Sequence, residues 1–186
     1  MTKGERRIRQ AFLDLLEEKG FYQIRVGEIV KLADVSRATF YSNFEDKYQL
    51  IRILRKELFD GFGDVMNNVR QSGYHGITDR SIKYVFVQYF QYVRETYRIW
   101  KIFFDGKGEN DFSDQLARFF YNWLMETQAQ WETFDPDMPD EHSAVICSWA
   151  YVALFSYWVK TGMQESEERM AETLAVFWSR FIGWDA

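Results

Sequence analysis

Apolar residues recur at helical spacing from the start of this chain, and the repeats divide it into short helices followed by longer ones. A helix over about residues 3–19 is predicted by five apolar residues at positions i, i+3, i+4, i+7 and i+8, namely Ile8, Ala11, Phe12, Leu15 and Leu16. Gly20 is expected to end this helix. Two short helices are predicted next, at 26–33 and 37–43, and Ser36 is the expected N-cap of the second.

Further segments rich in apolar residues account for the rest of the chain. They predict helices at about 46–70, 79–97, 98–105, 112–134, 140–161 and 166–182. The segments are separated by glycines and prolines, namely Gly73, Gly76, Gly106, Gly108, Pro136, Pro139 and Gly162. The predicted fold class is therefore all-α, with nine helices in two packed groups. A helix-turn-helix domain is expected over residues 1–48, and a helical body over residues 49–186.

The composition supports an all-helical protein of the reducing cytoplasm. Apolar residues make up 47% of the chain, which contains only two prolines. The single cysteine, Cys147, excludes an internal disulfide framework. The chain begins directly in an amphipathic helix, so we expect no signal peptide. We also expect no membrane span, because the longest apolar run covers residues 144–159 and a span needs about 20 residues.

Charge is distributed unevenly along the chain. The net charge is −5, but residues 1–60 carry +2 and the remainder carries −7. A small nucleic-acid-binding domain attached to an acidic body fits this asymmetry.

The connection between the second and third predicted helices is the most informative segment for function. Two short helices joined by a tight connector, here Asp34 and Val35, form a helix-turn-helix whose second helix can enter the major groove of DNA. Phe40 and Phe44 lie one turn apart and are expected to face inward. The outward face then carries Arg37, Ala38 and Tyr41. We interpret this polar face as a DNA-binding surface.

Residues 6–50 resemble the DNA-binding domain of the TetR family of bacterial regulators. The resemblance is carried in one register by four segments, at 11–21, 29–36, 37–44 and 47–50. A weaker similarity, to the end of such proteins' sensor domains, covers 158–163 and 168–174. The resemblance implies a nine-helix fold, an effector-binding body and a homodimer on a palindromic DNA operator.

Two positions depart from the family's pattern. Relatives usually have glycine in the turn where this chain has Asp34, and aspartate tolerates the left-handed backbone better than most residues. Relatives also tend to begin the second helix with a hydroxyl cap and a polar side chain that helps to read DNA. This chain has Arg25, Val26 and Gly27 there, so the cap is missing and Gly27 cannot touch a base, although Arg25 can reach a phosphate.

The candidate DNA-binding residues lie in and beside the predicted recognition helix. Arg37 is the candidate for direct readout, since a guanidinium can bond both O6 and N7 of guanine; the alternative is a solvated surface arginine. Thr39 and Tyr41 fit phosphate contacts, with helix packing as the alternative for Thr39. Lys47 would hold a phosphate together with helix-end N–H groups, or would be an ordinary surface lysine. The complete set is Arg25, Ser36, Arg37, Ala38, Thr39, Tyr41, Ser42, Asn43 and Lys47.

The helical body supplies candidates for two further surfaces. Aromatic residues predict a pocket for an unidentified small apolar or aromatic effector, with plain core as the alternative. These residues are Tyr89, Trp100, Phe103, Phe104, Phe120, Trp123 and Trp149. The last two helices resemble a dimer interface, with the candidate contacts Trp149, Val152, Phe155, Ala171, Leu174, Ala175 and Trp178.

Three functional hypotheses follow, in decreasing order of support. The first is a ligand-released repressor that binds a palindromic operator as a homodimer. The second is a co-activator of the same fold that acts through a protein partner, with DNA binding secondary or lost. The third, an enzyme or carrier, ranks last because no catalytic constellation, metal site or cofactor motif is found, and His75 and His142 have no partners at ligand spacing.

Overall fold

The computed structural model describes residues 1–71, 79–127 and 138–181. In these ranges the backbone forms nine α-helices and one 3₁₀ turn. In chain order they are α1 (Lys3–Lys19), the 3₁₀ turn (Phe21–Gln23), α2 (Val26–Ala33), α3 (Arg37–Asn43), α4 (Lys47–Gln71), α5 (Asp79–Glu95), α6 (Tyr97–Phe104), α7 (Phe112–Thr127), α8 (Asp140–Lys160) and α9 (Glu167–Phe181).

The all-α, nine-helix prediction is confirmed. The limits of α1, α2 and α3 match the predicted ones, and the described ends of the later helices differ by one or two residues. The predicted breaks at 72–76 and around the two prolines lie partly or wholly outside the described residues. Three further predicted positions lie outside the described residues. They are His75, the last residues of the helix predicted to reach residue 134, and residue 182.

The chain packs into two compact units, each made of two separate stretches of the sequence. The first unit contains Met1–Leu58 and Arg98–Phe112, and the second contains Phe59–Tyr97 and Ser113–Ala186. The first unit thus takes in the beginning of α4 and all but the first residue of α6. The functional boundary predicted at residue 48 remains a prediction, because it concerns which residues serve DNA binding.

The core of the first unit is built on the apolar stripe of α1. All five residues of that stripe are buried, and Gly20 ends the helix with φ at +80°. The segment after α6 is tied to the same region, because the Phe21 N–H donates to the Lys107 carbonyl at 2.8 Å. Arg98 of α6 also donates to the carboxylates of Asp14 and Glu17 on α1. Residues 98–112 are therefore a structural part of this unit.

Aromatic side chains dominate the core of the second unit. The Phe62 ring lies 4.9 Å from Tyr89, 5.3 Å from Phe120 and 5.7 Å from Phe155, measured between ring centroids. Such edge-to-face and tilted pairs stabilise a core beyond the apolar area they bury.

The central helix of the second unit, α8, is apolar on nearly all sides. By length and composition alone it could span a membrane, and half of its most apolar 18-residue window is buried inside the structure. Cys147 lies on the buried side, where burial raises the pKa of its thiol to about 12. The thiol is protonated at neutral pH, as expected for a small buried apolar residue rather than a redox sensor.

Candidate nucleic-acid interface

The seven-residue helix α3 is anchored through its cap and its buried face. Ser36 precedes the helix, and its Oγ accepts a hydrogen bond from the Thr39 N–H at 2.9 Å. Phe40 and Phe44 are both buried, with ring centroids 5.9 Å apart. The cap and the two inward-facing residues are as predicted. Together they fix which way the other side of the helix points.

The opposite face of α3 is open. Arg37, Ala38 and Ser42 are exposed, and Tyr41 is exposed over 57% of its surface. Across the described ranges, Arg37 has no carboxylate partner within 4.0 Å. The side chains nearest the start of α3 therefore present unpaired donors beside a small alanine, which allows close approach to a base edge.

Two residues of α3 connect it to the beginning of α1 instead of facing outward. Thr39 is half-buried, and its Cγ2 would lie 3.1 Å from a Cβ built at Gly4. The Thr39 hydroxyl lies 2.9 Å from Ser36 Oγ. Asn43 is half-buried, donates to the Thr39 carbonyl at 2.7 Å and lies 3.5 Å from Thr2 Oγ1. Thr39 thus has the packing role weighed as its alternative, and a phosphate contact by either residue remains a prediction.

The turn between α2 and α3 contains a strained residue. Asp34 has φ 49° and ψ 55°, the left-handed conformation that glycine adopts most easily. Its carboxylate also accepts a hydrogen bond from Arg7 Nη2 of α1 at 2.7 Å. The expectation that aspartate can replace glycine in this turn is confirmed, and the ion pair gives the aspartate a contact that glycine would lack.

The start of α2 lacks a side-chain cap, as predicted, and Glu28 at its third position bonds back to the residue before the helix. Its carboxylate accepts a hydrogen bond from the Arg25 N–H at 2.9 Å and an ion pair from Lys19 of α1. The Lys19 hydrogen bond and, after it, the Arg25 N–H lower the pKa of this carboxyl. Glu28 thus fixes the backbone at residue 25 but does not take the place of a hydroxyl cap, which would accept from N–H groups inside the helix.

Lys47 has a role that the sequence did not reveal. Its ammonium donates to the carbonyls of Phe21 at 3.0 Å, Tyr22 at 3.4 Å and Ile24 at 2.9 Å. It also lies 4.7 Å from the centroid of the Phe21 ring. Partial burial lowers the pKa of Lys47. An ammonium has three donors, so the predicted phosphate contact would require Lys47 to leave these carbonyls. The structure instead makes Lys47 a link between α4 and the 3₁₀ turn.

The basic residues at the start of the chain divide into two kinds. Arg7 is paired with Asp34, and Arg9 is paired with Glu57. Lys3 and Arg6 are exposed, as is Arg25 at the start of α2. Only some of these basic residues are therefore available for phosphates.

The seven residues predicted to line an effector pocket are divided between the two units. Trp100, Phe103 and Phe104 belong to the first unit, where the Phe103 ring stacks on Phe112 at 4.4 Å. Tyr89, Phe120, Trp123 and Trp149 belong to the second unit. Tyr89 and Phe120 are buried against Phe62, whereas Trp149 is on the surface. The plain-core alternative thus fits Tyr89 and Phe120, and a pocket lined by any of the seven residues remains a prediction.

Most of the predicted dimer contacts are also inside the unit. Five of them are buried within the second unit and cannot meet a partner without repacking: Val152, Phe155, Ala171, Leu174 and Trp178. Ala175 is half-buried, and Trp149 is 45% exposed. The exposed apolar residues on the same side of α8 as Trp149 are Val145 (47%), Ile146 (44%) and Tyr157 (56%). On α8 the predicted set combines the buried Val152 and Phe155 with the exposed Trp149, because a helix that is apolar all round has no periodic signal to separate its sides. Which residues form a dimer interface remains a prediction.

Comparisons with protein families agree with the geometry of α2 and α3. The model for bacterial regulatory proteins of the tetR family matches residues 8–53. A model for the C-terminal region of transcriptional regulators matches residues 80–179, more than half of the chain. A search of curated proteins finds no significant match.

Solved structures show the same fold at low sequence identity. NalD of Pseudomonas aeruginosa, described as the secondary repressor of the MexAB-OprM multidrug efflux pump, has a TM-score of 0.68 at 20% identity, with 99% of each chain covered. FadR of Bacillus subtilis, solved in complex with stearoyl-CoA, has a TM-score of 0.65 at 12% identity, covering 98% of this chain and 100% of its own. The dihydroxyacetone kinase operon activator DhaS has a TM-score of 0.62 at 17% identity, covering 97% and 96%.

Proposed function

The chain belongs to the TetR family of bacterial transcriptional regulators, and on that premise we propose that it is a ligand-released repressor that binds a palindromic operator as a homodimer. The observation that carries the proposal is the open face of α3, with Arg37, Ala38 and Tyr41 exposed while Phe40 and Phe44 hold the helix in place. Arg37 would read guanine, and Tyr41 would contact the phosphate backbone.

The homodimer would form through the exposed side of α8. Trp149 follows Ile146 by three residues and Val145 by four, and Tyr157 follows eight residues later, so the four lie on one side of the helix as an apolar stripe. An exposed stripe of this kind on a soluble protein marks an interaction surface. A second copy is the occupant we propose, because two such stripes can cover each other in a symmetric interface. Two recognition helices would then enter major grooves about 34–36 Å apart.

A small apolar or aromatic effector would bind in the second unit. Its aromatic core includes Tyr89 and Phe120, with Trp123 half-buried in the same helix as Phe120. The complex of the similar FadR with stearoyl-CoA supports an effector with apolar character. Release of DNA would follow if the effector binds better to a dimer whose recognition helices are wrongly spaced, since the affinities of the two sites are then coupled.

Binding to the DNA that adjoins the gene tests this function. Fluorescence anisotropy should show tight, sequence-dependent binding by the unaltered protein and its loss in the Arg37→Ala, Tyr41→Ala double variant. The matched control is the Arg118→Ala, Tyr84→Ala double variant, which removes the same two side-chain types from exposed positions of the second unit. Both variants must remain dimeric. Equal affinities for all three proteins would show that α3 is not the DNA-binding element.

The second candidate is an activator that acts through a protein partner. Leu32 and Tyr22 support it, because both are exposed hydrophobic side chains on the first unit. A described activator, DhaS, also shares the fold. Reporter transcription after deletion of the gene distinguishes the two candidates. Expression should rise if the protein is a repressor and should fall if it is an activator.

A further inference from the structure

Gly27, the second residue of α2, lies beside the guanidinium of Arg37 from the neighbouring helix. A Cβ built at Gly27 would lie 3.6 Å from Arg37 Nη2, which is ordinary van der Waals contact. The end group of Arg37 therefore borders the space that a side chain at residue 27 would enter. Any side chain longer than a methyl group that points the same way would need the space that the guanidinium occupies.

The charges around this contact leave the guanidinium available for a ligand. The adjacent carboxylate, Glu28, is engaged by Lys19 and by the Arg25 N–H. In residues 1–71, 79–127 and 138–181, Arg37 has no ion pair within 4.0 Å. Its hydrogen-bond donors are therefore not consumed by a carboxylate, and the absence of a side chain at residue 27 leaves room for its end group.

We propose that Gly27 is a specificity-determining residue, which acts by the absence of a side chain and gives the Arg37 guanidinium the position from which it reads a base. This inference rests on the proposed function. A larger side chain at residue 27 would displace the guanidinium and so disturb a two-bond contact with guanine, whose geometry is fixed by the planar fork of the arginine. Gly27 thus contributes to readout through Arg37 although it cannot touch DNA itself.

The substitution that tests the idea is Gly27→Leu. Leucine is a strong helix former and cannot hydrogen-bond to a base, so it should fill the space without adding a contact of its own. The matched control is Gly63→Leu in α4, because a Cβ built at Gly63 meets no atom within 4 Å. Both variants should melt at or above the temperature of the unaltered protein, which separates an effect on DNA reading from an effect on folding. Gly27→Ala, whose Cβ is at contact distance, should give a smaller effect than leucine.

Selection of binding sites from a random DNA library provides the measurement. Arg37→Ala should lose the preference for one base pair in each half-site, a preference of about 5- to 150-fold. Gly27→Leu should lose the preference at that same base pair, and Gly63→Leu should retain it. The double variant Gly27→Leu, Arg37→Ala should select the same sites as Arg37→Ala alone.

Several outcomes would overturn the inference. The first is that Gly27→Leu keeps the Arg37-dependent preference. The second is that Gly27→Leu changes the preference at a different base pair. The third is that the two losses add in the double variant. If the unaltered protein selects a motif in which no position depends on Arg37, the inference fails while the proposed function stands. If it selects no motif at all, the proposed function fails as well.

Discussion

The two surfaces proposed to bind a partner, the open face of α3 and the outer side of α8, differ in every physical respect. α3 has seven residues, and its exposed side chains are short or polar apart from Tyr41. α8 has 21 residues and exposes Val145, Ile146, Trp149 and Tyr157. One surface offers unpaired donors, and the other offers apolar area.

Because of this difference, we expect the two proposed contacts to respond differently to the same change in salt concentration. Binding of DNA releases condensed counterions and is weakened by salt. Association of apolar stripes is driven by removal of apolar surface from water and is little affected by moderate salt.

Salt should have the largest effect, and on one surface only. With about six phosphate contacts per dimer, operator affinity should fall roughly 1,000-fold between about 50 and 200 mM salt. The dimerisation constant, measured by sedimentation over the same range, should stay within a few-fold. A dimer that dissociates in parallel with the DNA would show that α8 is not an apolar interface.

A charge on the outer side of α8 should break the dimer. Trp149→Glu places a carboxylate in the middle of the stripe, and loss of a central aromatic contact should weaken dimerisation roughly 30- to 1,000-fold. Tyr84→Glu on α5 is the control, because Tyr84 has a similar exposure of 43%. Sedimentation equilibrium measures both. If Trp149→Glu dimerises as tightly as the control, the interface lies elsewhere.

Loss of the Lys47 ammonium should destabilise the first unit. Lys47→Met keeps the apolar stem but leaves three carbonyls without this donor. Desolvation of the ammonium offsets part of those bonds, so the free energy of unfolding should fall by about 1–2 kcal/mol. Lys31→Met, at an exposed lysine of α2, should change it by less than about 0.5 kcal/mol. Urea titration gives both values. Equal effects would mean that the Lys47 contacts contribute nothing.

The turn residue Asp34 should show the smallest effect. Alanine there retains the left-handed strain and loses the Arg7 pair, so Asp34→Ala should destabilise the protein by about 1 kcal/mol. Asp34→Gly relieves the strain and loses the same pair, and should lie within about 0.5 kcal/mol of the unaltered protein. Thermal unfolding ranks the three proteins. An alanine variant as stable as the glycine variant would argue against strain in the turn.

Sequence reasoning succeeded where local rules decide the structure. Ser36 as a cap, Gly20 as a stop and Phe40 with Phe44 as an inward pair are each set by neighbours in the chain. Lys47 shows the limit of such rules, because no spacing reveals that an ammonium in α4 will meet carbonyls more than 20 residues earlier.

The second unit was harder to predict for a different reason. On α8, Val152 and Phe155 are buried while Val145 and Ile146 are exposed, yet all four are apolar and equally acceptable in a core. Periodicity assigns a side only where polar residues mark the other side. On α3 the polar residues marked it. On α8 they did not.

We propose that α2 and α3 bind DNA while α8 pairs two copies of the chain. Hydrogen exchange of the purified protein with and without operator DNA measures both surfaces in one experiment. The claim predicts slower amide exchange in residues 25–43 when DNA is bound, and unchanged exchange in residues 140–160, which the partner would already cover. Slower exchange confined to residues 140–160, with none in α2 and α3, would contradict it.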